Sequence, residues 1–477
     1  IDYSVFHVLV RLFKLAFSPS ETIASYFFAH LFGSLPYLPY LCKDKRISTN
    51  AFYNMKKDNS IISFSIKTMM IGCILILTAQ LPGKAQHNII QNKRIASLQV
   101  VAGTDWLSMP ITQLGGNAIN IDFDDMTHDY HRYTYKITHC DADWQESEGI
   151  FDTDYLQGFN GELTIDDNEQ SFNTNHLYTH YHLTIPNDNC RITMSGNYKL
   201  TVYDDNAEEG ESTMFTACFM IVDPKIKVDL AYSSNTDIDN NRQHQQVKMT
   251  ADYRNIHVTA PGKQIKTVVL QNGRWDNAAV NAKPDYLSAE QMSWIHNRQL
   301  IFKAGNEYHK FEMLDLDHPT MGIERISWDG KDYHAYVTPD EPRPSYVYDE
   351  SGQGAFYIRN SDNIGNNSQS DYAIVHFTLK APRQEGAVYL NGFWTQDSFT
   401  PEYQMEYDES SHCYHAQVKL KQGYYSYQYL VLRSDGSTRH VTTDGDFYQT
   451  ANRYDALIYY RGTTDRSDQL LGWKSIQ

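Results

Sequence analysis

The sequence predicts an all-β protein built of tandem antiparallel β-sandwich domains of the immunoglobulin-like kind. Three observations carry that expectation. First, apolar and polar residues alternate strictly in short runs. Tyr133, Tyr135 and Ile137 alternate with Thr134, Lys136 and Thr138; Tyr181, Leu183 and Ile185 with His182 and Thr184; Tyr198, Leu200 and Val202 with Lys199 and Thr201. A period of two in Tyr, Thr, Val and Ile is the pattern of half-buried strands. Second, turn chemistry separates the runs: Asp141-Ala142-Asp143, Gly158, Pro186-Asn187-Asp188 and Ser195-Gly196-Asn197. Third, the chain carries 35 Tyr, 21 Phe and 7 Trp, and aromatic richness favours strands over helices.

At 477 residues the chain has room for two to four domains, at roughly 100–200 residues each. Residues 1–54 are apolar and aromatic, start with Ile rather than Met, and show no rhythm of turns and strands. They read as a non-native extension of the reading frame. Residues 55–85 read as a signal peptide region. Lys56, Lys57 and Lys67 supply a basic flank, 69–79 (MMIGCILILTA) an apolar core, and Gly83 and Ala85 small residues before Gln86. The mature chain is therefore expected to begin near Gln86. Cys73 does not close the apolar run, because Ile74, Leu75, Ile76 and Leu77 continue it, which argues against lipidation.

A first sandwich is expected over 92–225. Val100 and Val101 open it, Ile119, Ile121 and Phe123 alternate with Asn120, Asp122 and Asp124, and the three runs above follow. The nearly continuous apolar run 215–222 (FTACFMIV) reads as a fully buried strand. Trp144, Tyr135, Leu183 and Leu200 are its expected core. A second β-rich domain is expected over 226–370, with strands near 247–253, 265–270 and 300–302 and a hairpin turn at Asn272-Gly273. Residues 287–296 read as a helical turn or loop. The prolines at 339, 342 and 344 and the polar run 360–370 read as exposed loop or linker. A third sandwich is expected over 371–465, from the alternation of Val375, Phe377 and Leu379, of Ala416, Val418 and Leu420, and of Tyr425, Tyr427 and Tyr429.

Six runs in the first region resemble one family. They are His139-Cys140-Asp141-Ala142-Asp143-Trp144; Tyr155-Leu156-x-Gly158-Phe159-Asn160; Phe172-Asn173-Thr174; Tyr178-Thr179-His180-Tyr181; Leu183-Thr184-Ile185-Pro186-Asn187; and Ser195-Gly196-Asn197-Tyr198-Lys199-Leu200. In this order they are similar to the N-terminal domain of the type IX secretion system plug protein of Bacteroidota-type bacteria. Shorter matches lie at 235–239, 244–247 and 307–312. The resemblance implies a periplasmic, non-enzymatic protein that closes the idle outer-membrane translocon, with that translocon as its protein partner. The third region resembles early-set immunoglobulin-like domains, some of which bind starch or glycogen, through Leu390-Asn391-Gly392-Phe393-Trp394 and Gly423-Tyr424-Tyr425. A secreted glycan-binding protein is the alternative that this resemblance raises, with Trp394, Tyr403 and Tyr407 as the candidate aromatic platform.

Charge narrows the partners. The chain carries a net −17, and beyond residue 85 there are 32 basic against 54 acidic residues. That argues against nucleic acid, which needs a basic footprint, and against docking on or inserting into an anionic lipid surface. Candidate chemistry is sparse. His139 and Cys140 are adjacent and, on a strand, point to opposite faces, so a nucleophile and its base are not expected there. His176, His180 and His182 raise a zinc reading, but the alternation puts His180 and His182 on a solvent face. Asp122, Asp124 and Asp125, and Asp315 and Asp317, read as exposed strand ends and lack the calcium loop pattern. Cys140, Cys190, Cys218 and Cys413, beyond the two in the discarded segment (Cys42 and Cys73), allow three complete pairings, or none. There is no phosphate-cradling loop, no Gly-x-Ser-x-Gly and no His-Glu-x-x-His. No catalytic residue, no metal ligand and no cofactor is expected.

Overall fold

The computed structural model describes residues 87–158, 163–207, 212–361 and 367–477. The expected extension and signal peptide lie outside the described residues, as do Phe159 and Asn160 of the second motif. Nearly all regular structure is strand; the α-helices among the described residues, Asp152–Tyr155 and Pro261–Gln264, have four residues each.

The first sandwich follows directly from the alternation. One sheet runs Ile89–Ile90, Thr213–Val222, Gly196–Asp204, Tyr133–Cys140, Leu163–Thr164. Ile111–Gln113 lies parallel to Thr213–Val222 at its side. The other sheet runs Ile95–Ala102, Ile119–Asp125, Thr179–Ile185, Asp167–Gln170. Leu200 pairs across to Ile137 on one side and Ala217 on the other. These side chains and Phe123, Tyr181 and Leu183 of the facing sheet close one buried core. Stacked sheets lie about 10 Å apart, so inward residues from both faces interdigitate.

The second sandwich is discontinuous in sequence. Its first sheet is Lys227–Ser233, His244–Asp252, Gln291–Trp294, Tyr286–Leu287, with Ile301–Lys303 also on His244–Asp252. Residues 287–296, expected as a helical turn or loop, thus supply strand instead: Gln291 to Trp294 take part in sheet pairing, with Met292 and Trp294 turned inward. The facing sheet is Arg274–Val280, Ile265–Gln271, Tyr454–Tyr460, Gln469–Ile476. Ile265 pairs with Tyr460 and Gln271 with Tyr454, so the chain leaves this sandwich near residue 303 and returns near 454.

Between those points lies the third sandwich. One sheet joins His309–Met313, Gly423–Leu432 and Phe356–Ile358, with Ala387–Asn391 and Thr438–His440 also on Gly423–Leu432. The other runs Ile323–Trp328, Tyr333–Val337, Tyr372–Leu379, Cys413–Lys421, Glu406–Asp408. Sheet membership therefore differs from the boundaries expected at 370/371 and at 465. Strands from His309 to Ile358 build the third sandwich, and Tyr454–Tyr460 belongs to the second. The reason is long-range pairing, which local periodicity does not encode. The described residues of the 360–370 run are also not a free linker: Asn360, Ser368 and Ser370 are buried.

Candidate functional site

The three sandwiches meet along seams of different chemistry. The outward face of Thr213–Val222 presents Cys218, Met220 and Val222, with Met109, Ile111 and Trp144 beside it. This face packs on Val268, Leu270, Leu457, Tyr459 and Leu470 of the second sandwich. Trp144 meets Trp275 edge-on, ring centroids 5.7 Å apart. Trp144 therefore does not belong to the first core, as its motif position suggested; it seals the apolar seam.

The seam between the first and third sandwiches is polar. Asp124 of Ile119–Asp125 and Lys421 of Cys413–Lys421 are both fully buried, Nζ to Oδ2 2.6 Å. The Tyr372 hydroxyl donates to the same oxygen at 2.6 Å, and Ser97 Oγ lies 2.8 Å from that hydroxyl. The Lys421 ammonium sits 4.0 Å from the centre of the Tyr178 ring, a cation–π contact that desolvation strengthens. On the other side, His180 Nδ1 is 2.7 Å from Asp124 Oδ1, and His180 Nε2 and His182 Nδ1 are 3.3 and 2.8 Å from Asp122 Oδ1. Asp371 accepts from the backbone N–H groups of Asn175 and His176 at 2.5 and 3.0 Å, and Tyr178 donates to the Ser370 carbonyl at 2.6 Å.

The electrostatics follow from that geometry. Burial pushes the Asp124 carboxyl up, but Lys421 and His180 outweigh it and hold it below the usual carboxylate range. Burial likewise opposes ionisation of Asp122, yet His180 and His182 bring it to about 2. For His180, burial disfavours the cation, but Asp122 and Asp124 raise it to about 9. The hydrogen bond that His182 donates to Asp122 raises the histidine's pKa. The network is thus a run of alternating charges that starts in the seam and ends at an open polar hollow lined by Asp122, Asp167, Asn168, Glu169, His180, His182 and Asn367.

Residues 95–223, which span this first sandwich, match the family model described as the type IX secretion system plug protein 1st domain. The first sandwich is a type IX secretion system plug protein 1st domain. It is also similar to a hypothetical protein from Parabacteroides merdae solved by crystallography. The two are 37% identical with a TM-score of 0.78, over 82% of this chain and 98% of that one. No curated protein matches the chain. That domain points to a role linked to type IX secretion and to a periplasmic or envelope location. No described helix is long and apolar enough to cross a membrane.

The plug-family motifs can now be placed. Tyr178, Tyr181, Leu183, Ile185, Tyr198 and Leu200 are buried. His139 is buried too, its ring 2.8 Å from Ser147 Oγ and 3.2 Å from the Ser195 carbonyl. Cys140 points away toward the Thr138 carbonyl, and burial pushes its thiol up to about 12; the two make no nucleophile pair. Among the described residues all four candidate cysteines are buried and unpaired with one another. His180 and His182 were expected on a solvent face. Their side chains are only 14% and 34% exposed, because the third sandwich covers that end of the sheet. His176 is drawn instead to Asp332, 2.7 Å away, and no group of three or more metal-ligand side chains converges among the described residues. Asp124 and Asp125 are buried ion and hydrogen-bond partners rather than exposed strand ends; Tyr133 donates to Asp125 at 2.5 Å. Asp315 is occupied locally, by the Asp317 N–H and His318.

The glycan platform does not form. Trp394 is buried, donates to the Ser426 carbonyl at 3.0 Å, and meets Tyr403 at an interplanar angle of 89°. Tyr407 instead packs on Tyr414. Sequence reasoning missed Lys421 and Tyr372. Lys421 sits at a polar position of an alternating strand, and no local signal marks it as buried. Phe172 is the motif residue that packing does not explain. It is exposed, as are Leu177 and Trp328. A hydrogen bond of 2.9 Å from Asn175 Nδ2 to the Lys331 carbonyl brings their loops together across the polar seam.

Proposed function

We propose that this protein is a periplasmic, non-enzymatic component that seats at the idle outer-membrane translocon of the type IX secretion system and closes it. The observation that carries this reading is the plug-domain match over the first sandwich, which touches both of the others. Two features support it. Three sandwiches joined through an apolar and a polar seam offer a broad surface, suited to covering an opening rather than threading it. Phe172 and Leu177 on the first sandwich and Trp328 on the third are exposed on neighbouring loops, and aromatic side chains are favoured anchors in protein interfaces. A seat that cargo must displace calls for a partly polar interface of modest size. Deletion in the native host is expected to raise envelope permeability to dyes and antibiotics normally excluded, while secretion persists in part. The purified chain is expected on the substrate-free translocon and absent from the cargo-loaded one. Unchanged permeability together with no isolable complex would refute the reading.

A further inference from the structure

Residues 338–355 join Tyr333–Val337 to Phe356–Ile358, from one sheet of the third sandwich to the other, without a strand or helix of their own. Connections of that length without internal structure are uncommon in compact domains and usually functional. This one is held in place at several points. Arg343 Nε donates to Asp444 at 3.0 Å and its Nη1 to the Glu307 carbonyl at 2.6 Å. The Tyr346 hydroxyl donates to Glu307 Oε1 at 2.8 Å. Beyond, Lys310 Nζ donates to Asp349 Oδ1 at 2.6 Å and to the Glu350 carbonyl at 2.7 Å, and Gln353 donates to the Ala451 carbonyl at 2.8 Å. Pro339, Pro342 and Pro344 fix φ along the approach. Between the two sets of anchors stand Val347 and Tyr348, 72% and 69% exposed.

An adjacent apolar and aromatic pair, thrust outward by a loop that is already ordered, is costly to leave in water and loses little entropy on docking. Glu341, Asp349 and Glu350 beside it are exposed carboxylates; Lys380 pairs with Glu341 and Lys310 with Asp349, so Glu350 supplies the surplus charge. That charge favours a cationic rim on whatever receives the pair and disfavours anionic lipid headgroups. We infer that Val347 and Tyr348 are the anchors of a docking site for a protein partner presenting an apolar pocket bordered by Lys or Arg. The inference rests on the plug reading for the partner's identity, the translocon, and goes beyond it in naming the surface and its chemistry.

The test uses the full chain in its native host with p-benzoylphenylalanine in place of Tyr348. Light should join it to a translocon subunit at an apolar site flanked by basic residues. The variant Val347→Ser/Tyr348→Ala should lower recovery of the complex about tenfold or more, as loss of central anchors does, with an unchanged circular dichroism spectrum and melting temperature. Asp349→Lys/Glu350→Lys should lower it as well. The docking site is overturned if the wild-type chain co-purifies with the translocon while position 348 joins only lipid, a second copy or nothing, or while the double variant is recovered undiminished. If the wild-type chain fails to co-purify with the translocon, the plug reading falls. In that case a crosslink from 348 to a basic-rimmed pocket of another identified protein still supports the docking site, and its absence overturns both.

Discussion

At the scale of single residues, the Asp124–Lys421 pair shows what holds the first and third sandwiches in register. Removing one partner of a buried ion pair strands the other without solvent. Lys421→Ala should therefore cost roughly 3–5 kcal/mol, measured by urea unfolding; a loss within 1 kcal/mol would show that the seam readily admits water. Replacing both charges by apolar residues should restore only part of the loss, because Asp124 also accepts from Tyr372 and contacts His180. A second buried centre behaves alike. His309 lies between Asp340 and Asp444 at 2.7 and 3.1 Å. Burial opposes its charge, and the two carboxylates nevertheless raise it to about 9. His180 and His309 thus contribute stability that is complete below the unfolded value, about 6.5, and lost as pH rises toward 9. His376 has the opposite sign. Burial, with His334 and Arg325, depresses it to about 4, so its contribution is present above about 6.5 and fades as pH falls to 4. Asp122 and Asp444, both near 2 in the folded chain, lose theirs as pH drops from about 4. The melting temperature should peak near neutral pH and fall on both sides. His309→Asn should flatten the limb between pH 7 and 9; an unaltered limb would assign that pH dependence elsewhere.

At the scale of elements, the strands of the first sandwich were legible because each side chain obeys a local rule. Tyr133–Cys140, Thr179–Ile185 and Gly196–Asp204 fall where the period of two placed them. The run 215–222 read as buried on both faces, and the structure, where it lies in Thr213–Val222, supplies the reason. Phe215, Ala217, Phe219 and Ile221 enter the first core, while Cys218, Met220 and Val222 meet the second sandwich. This gives the two faces different roles. Leu200, fully buried between Ile137 and Ala217, should lose roughly 2–5 kcal/mol on truncation to Ala, from transfer and cavity terms together. Met220→Asp should act differently, loosening the seam while the first core stays closed. Hydrogen exchange separates the two: Leu200→Ala should accelerate the whole first sandwich, and Met220→Asp first the strands along the seam. Identical exchange patterns would mean the two faces do not open independently. The third sandwich's ring positions were less legible. The pattern located Trp394 and Tyr403 but carried no information on ring orientation, which the Ser426 hydrogen bond and neighbouring packing decide.

At the scale of the molecule, the arrangement that local pattern could not give is nesting. Tyr454 to Tyr460 pair with Gln271 to Ile265, nearly two hundred residues upstream, so the third sandwich is an insertion in the second. Its ends lie side by side: Thr450 Oγ1 donates to the Gly305 carbonyl at 2.9 Å and Asn452 Nδ2 to the Ala304 carbonyl at 2.8 Å. Insertions with adjoining ends are the kind that fold as units. The chemistry of the seams then sets what can be separated. A fragment of residues 305–450 keeps its own core and uncovers mostly polar groups toward the first sandwich, Tyr372, Lys421 and Gln396 among them. A fragment of residues 87–225 instead uncovers Met109, Ile111, Trp144, Met220 and Val222 together, an apolar face of the sort that drives association. The first fragment should elute as a folded monomer with a cooperative melt, and the second should associate or require the second sandwich to remain in solution. Light scattering and circular dichroism decide. If 305–450 aggregates while 87–225 stays monodisperse, the polar seam is the obligate one, and the first and second sandwiches are the separable pair.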